Sequence, residues 1–149
     1  MMLGGSRMPR RILHTSDLHL ESLANRSCQS LEALVSLANK ANVDLVIVAG
    51  DLFDHNRVDD SLVRFVVEQL QRLPVYVVIL PGNHDCLVSD SVFERSGLWE
   101  NCTNIRVFKA PNGETLDLPD MGILPVRIIR ILPDDCEQPR HICSGVRWR

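Results

Sequence analysis

The stretch that decides the fold is Leu45-Val-Ile-Val-Ala49, followed at once by Gly50-Asp51-Leu-Phe-Asp54. Five consecutive apolar positions, three of them β-branched, are too short for a buried helix and mark a strand covered on both faces. Two similar runs flank it, Ile12 to Thr15 before and Val75 to Leu80 after. Between the first two runs, Leu31, Leu34, Val35, Ala38 and Ala41 recur at helical spacing, with Ser27 or Ser30 as the expected N-cap. Between the second and third, Leu62, Phe65, Val66 and Leu70 line one face of a helix whose positive end carries Asp59 and Asp60 and which Pro74 stops. Each gap exceeds the dozen or so residues that a parallel crossover needs. The pattern is βαβαβ, an α/β fold with a mostly parallel sheet and crossover helices.

Beyond Gly82 the periodicity loosens. Ser91 to Trp99 reads as a short helix ended near Gly97, Ile105 to Phe108 as a strand, and Pro111-Asn-Gly113 as a turn into a weak strand at Glu114 to Leu118. Residues 121 to 149 hold five arginines, no lysine, two cysteines and three prolines. They match the rest poorly, apart from a short strand-like run at Ile128 to Leu132. The expected division is therefore a domain over 1–120 and an atypical, disordered tail over 121–149.

The 149 residues suit one domain, and 45% apolar with 23% charged residues excludes a wholly disordered chain. No apolar run approaches the roughly 20 residues of a membrane span, and no signal peptide is visible. Met8 serves as well as Met1 for a start. Five cysteines without a C-x-x-C pair read as free thiols in a reducing, cytoplasmic setting. A net charge of −3 supplies no general attraction to nucleic acid.

Chemistry is carried by three polar clusters, each placed just after a buried run. Asp17-Leu-His19 follows the first, Gly50-Asp51-Leu-Phe-Asp54 the second and Gly82-Asn83-His84-Asp85 the third. In a parallel sheet these points are the carboxyl ends of strands, where ligands bind. Carboxylates, imidazoles and an amide converging there suggest a metal site. A carboxylate such as Asp51 can bridge two ions roughly 3.5–4 Å apart, and Asn83 offers a neutral oxygen. Oxygen and nitrogen donors without thiolate favour manganese, iron or zinc over copper(I). No glycine-rich nucleotide cradle is present.

His14-Thr-Ser-Asp-Leu-His-Leu20, Ala49-Gly-Asp-Leu-Phe-Asp54 and Pro81-Gly-Asn-His-Asp85 resemble the calcineurin-like metallophosphoesterase superfamily, and most closely its DNA-repair exonuclease branch, over about residues 10 to 118. The resemblance implies the N-terminal half of a four-layer αββα sandwich and a two-metal phosphoester hydrolase, with manganese as the expected ion and DNA as the favoured substrate. It implies that Asp17 and His19 hold one ion, that Asp51 bridges both, and that Asn83 holds the other. His84 would face the substrate as a catalytic group, Asp85 would orient it, and Asp54 would stand just outside the ligand set or form the turn.

The family completes this site with a later Gly-His and a later Gly-His-x-His. Here only His141 follows His84, in a context that fits neither. The expected site is incomplete, with one weakly held ion. Family members are also longer, and a frameshift or early stop after about Asp120 would account for the tail. The missing second sheet would leave the Leu45–Ala49 and Val75–Leu80 face bare and prone to self-association. Two alternatives stay open: a non-catalytic fragment binding one metal, and an interaction module pairing through its sheet edges. His14 reads as structural, His55 as a solvated loop residue, Cys86 as inert, and Arg7, Arg10 and Arg11 as part of a mobile N-terminus.

Overall fold

The computed structural model describes residues 9–95, 97–110, 114–116 and 126–128. Strands β1 (Ile12–Thr15), β2 (Leu45–Ala49), β3 (Tyr76–Leu80) and β4 (Ile105–Val107) form one sheet in that order, parallel throughout. Helices α1 (Arg26–Ala41) and α2 (Asp60–Gln71) are the first two crossovers. The fold is α/β with a parallel four-stranded sheet, as the three apolar runs require.

Alternation along the central strands separates two cores. Val46, Val48, Val77 and Ile79 bury against Leu31, Val35 and Ala38 of α1 and Leu62, Val63, Val66 and Leu70 of α2, so both helices share one face. On the other face Leu45, Ile47, Val78 and Leu80 pack with Phe108. These five residues are each 2% exposed or less, and Ile12, Ala49 and Leu116 pack against them. The expectation of a bare sheet face is thereby corrected, and with it the reason given for self-association. Leu116 belongs to β5 (Glu114–Leu116), which pairs antiparallel with β6 (Val126–Ile128) as a second, two-stranded sheet.

Local structure departs from the sequence reading at three places. Helix α1 starts at Arg26 behind Asn25, whose side chain accepts from Ser27 N at 3.4 Å, and not behind Ser27 or Ser30. Its first turn buries only Cys28, which is too little apolar signal to place the start. Ser91 to Trp99 forms turns and no helix among its described residues. Side chains there take over the pairing that a helical ladder would supply. The Arg95 guanidinium donates to Asn56 O and Val58 O, Trp99 Nε1 donates to Val92 O at 3.0 Å, and the Asn56 amide bridges Cys86 O and Val92 N.

The third departure is at the start of β1. Arg10 and Arg11 do not belong to a loose N-terminus: Arg10 Nη1 lies 3.1 Å from Asp44 Oδ1, and Arg11 donates through N to Asp44 Oδ2 (2.8 Å) and through Nη1 to Ala41 O (2.8 Å). They fasten the amino end of β1, the end away from the polar clusters. Arg7, the turn at 111–113, His141, Cys136 and Cys143 lie outside the described residues. Cys28, Cys86 and Cys102 are free thiols. Among the described residues no helix is long and apolar enough to cross a membrane.

Candidate metal centre

The chain leaves β1 and β2 side by side. Pairing continues beyond the strands through Asp17 N to Gly50 O (3.1 Å), His19 N to Asp51 O (3.0 Å) and Leu20 N to Leu52 O (3.0 Å). Ordinary extended backbone would alternate the side chains across the sheet. Instead Asp17, His19 and Asp51 adopt left-handed φ values of 55°, 45° and 52°, and Gly50 has φ 95°. For residues other than glycine this region costs of order 1–3 kcal/mol each and persists where surrounding contacts enforce it. The result places ligand atoms of Asp17, His19 and Asp51 within 4.8 Å of one another.

The rings are oriented by hydrogen bonds whose partners fix the tautomers. His19 Nδ1 lies 3.0 Å from Asp54 Oδ1. A carboxylate accepts only, so Nδ1 carries the proton and Nε2 keeps its lone pair; that atom sits 3.8 Å from Asp17 Oδ1. His84 Nδ1 lies 2.8 Å from the Asp54 carbonyl oxygen, which again makes Nδ1 the donor and leaves Nε2 outward. The two rings stand edge to face with centroids 4.7 Å apart. Asp54 thus serves His19 with its carboxylate, His84 with its carbonyl and Leu20 O with its N–H at 3.0 Å. It both forms the turn and orients the imidazoles.

Asp85 does something other than orient His84. It is fully buried, and its two oxygens accept from Gly82 N (2.6 Å) and Phe53 N (3.1 Å). Burial pushes its carboxyl up to about 6, against the opposing pull of amides from Gly82, Phe53 and Leu52. The orienting role expected of Asp85 therefore falls to the Asp54 carbonyl, because both Asp85 oxygens are committed to backbone. Asn83 is exposed, between Gly82 and His84 on the same turn.

Three features of the centre are not legible in the sequence. Gly82 stands out there as part of a motif, but its steric role does not: a Cβ on it would stand 2.7 Å from Asp51 Cγ and closer still to Oδ1. The left-handed residues carry no residue-type signal beyond the tolerance of Asp for that region. Glu21, Asp54 and His55 also gather ligand atoms within 4.8 Å, with Glu21 and His55 exposed at the rim.

The sequence model of the calcineurin-like phosphoesterase family matches residues 10–139. This chain belongs to that family. SbcD, the smaller-named half of the nuclease SbcCD of Escherichia coli K12, is 36% identical over 88 residues, which cover 53% of this chain and 22% of that protein. The DNA double-strand break repair protein Mre11 of Methanopyrus kandleri is 31% identical over 104 residues, covering 59% and 23%. The chain thus spans under a quarter of the length of either relative. Among solved structures, the Pseudomonas putida nuclease MPE aligns with a TM-score of 0.47 and 22% identity, over 68% of this chain and 49% of that one. Members of the family are hydrolases of phosphoester bonds, and the donor set here suits the divalent ions they use: two carboxylates, an imidazole with a free Nε2, and a glycine that leaves room for the carboxylate between them.

Proposed function

We propose that the chain carries a divalent-metal centre for phosphodiester hydrolysis, with DNA as substrate and manganese as the working ion. The observation that carries this reading is the convergence of Asp17, His19 and Asp51 at the carboxyl ends of β1 and β2. Asp17 and His19 would hold one ion, Asp51 would bridge, and Asn83 would supply an oxygen at the second position. DNA is favoured because one relative is named as part of a nuclease and another as a DNA double-strand break repair protein. A cytoplasmic setting fits the free thiols.

When bound, such ions activate water near neutral pH and offset charge on phosphoryl oxygens. The protein's own part falls to His84. With Nδ1–H fixed on the Asp54 carbonyl, only Nε2 can exchange a proton with substrate, and the protonated ring would give it to the leaving oxygen. Asp54 holds both imidazoles and so couples the ligand His19 to the proton donor His84. The first position has three protein donors and the second has two, so one weakly held ion per chain is expected.

Calorimetry with Mn²⁺, run beside hydrolysis of bis(p-nitrophenyl) phosphate and of single-stranded DNA, tests the reading. Asp51→Asn should abolish binding and turnover together. Mn²⁺ binding without hydrolysis of either substrate would favour the non-catalytic alternative. Unaltered binding in Asp51→Asn would reject the bridging assignment.

A further inference from the structure

We propose that Asp85 and Gly82 act as one device that sets the position of Asp51, so that a buried residue outside the ligand set controls affinity for the divalent ion. The proposal rests on the metal-centre reading above and adds to it a positioning pair.

The turn from Gly82 to Asp85 wraps the Asp51 carboxylate on two sides. Gly82 lies so close that a Cβ on it would overlap Asp51 Oδ1, and its Cα stands in van der Waals range of where a Cβ on Gly50 would be. On the other side His84 N donates to Asp51 Oδ1 at 2.9 Å. One Asp51 oxygen is thereby fixed by backbone, and its remaining lone pairs are aimed by that bond. The turn itself has no strand pairing to hold it, since β3 ends at Leu80. What holds it is Asp85, which ties Gly82 N of its own turn to Phe53 N of the loop that follows Asp51. A carboxylate is required because two N–H donors arrive from different loops and both need an acceptor. An amide in its place would set an NH₂ against one of those donors.

Asp85→Asn keeps the shape and breaks one arm of this clamp. Gly82→Ala leaves the clamp intact and pushes on Asp51 directly. Groups that orient ligands from behind typically govern metal affinity by about 10–100-fold. Mn²⁺ affinity, read from the electron paramagnetic resonance of the unbound ion, should fall by that factor in each variant. The double variant should lose less than the product of the two, because both act through Asp51.

Val63→Ala, in the helix-covered core away from the turn, serves as the control for general destabilisation and should bind as the unaltered chain does. Thermal melting run in parallel identifies folded variants. Should Asp85→Asn fail to fold, Gly82→Ala decides alone. An unaltered chain that binds Mn²⁺ beside folded variants of equal affinity overturns the positioning pair and leaves the metal centre standing. Equal weakening by Val63→Ala also overturns it. An unaltered chain that binds no Mn²⁺ overturns the metal centre itself.

Discussion

His19 Nδ1 lies 3.0 Å from Asp54 Oδ1, across 35 residues of chain. That one bond decides which nitrogen of His19 faces Asp17 and Asp51. It also makes Asp54, which follows Asp51 by three positions, a support for the centre from the opposite side. Removing its carboxylate while keeping its backbone separates this role from turn formation. Asp54→Ala should lower Mn²⁺ affinity about 10–100-fold, as loss of a ring-orienting carboxylate does elsewhere. Calorimetry on the folded variant checks it; unchanged affinity would show that His19 needs no orientation.

His84 is exposed and is held through the Asp54 carbonyl rather than through a metal-facing contact. If hydrolysis is found, His84→Ala should lower turnover by about 10²–10⁴-fold, the range for general acid–base groups. Metal content should change little. A variant that lost ion and turnover together would make His84 a ligand.

Asp44 fastens the amino end of β1 to β2. The Arg11 N–H bond, with Arg10 beside it, holds the Asp44 carboxyl below its ordinary value. A carboxyl that is more acidic when folded stabilises the fold above its unfolded pKa, and that contribution is lost as pH falls through the folded value. Asp44→Asn should therefore melt at a lower temperature than the unaltered chain above about pH 4, near the unperturbed carboxyl value. The gap should close on further acidification. A gap independent of pH would assign the effect to packing instead.

Beneath the centre, Phe53, Phe93 and Trp99 form an aromatic cluster, with Phe93 and Trp99 centroids 5.4 Å apart. Phe93 is 1% exposed on a segment without regular structure, so the cluster anchors the turns around it. Phe93→Ala should cost about 3–5 kcal/mol. Urea unfolding followed by tryptophan emission and by far-ultraviolet dichroism would measure it.

The parallel sheet and the order of its strands are legible in the residues alone, because strands buried on both faces must be written as unbroken apolar runs. So is the gathering of Asp17, His19, Asp51, Asp54, Asn83, His84 and Asp85 at one end, since parallel strands carry their carboxyl ends to one edge. What those groups do to one another is settled only by three-dimensional contact. Which nitrogen each ring offers, why position 82 needs glycine, and why Asp85 serves backbone amides rather than His84 all turn on contacts between residues about 30 apart. Most of those partners are main-chain atoms, identical in every residue, so no side-chain pattern announces them. The covered face of the sheet was hidden for a related reason: Phe108 and Leu116 reach it from short segments that carry no periodicity of their own.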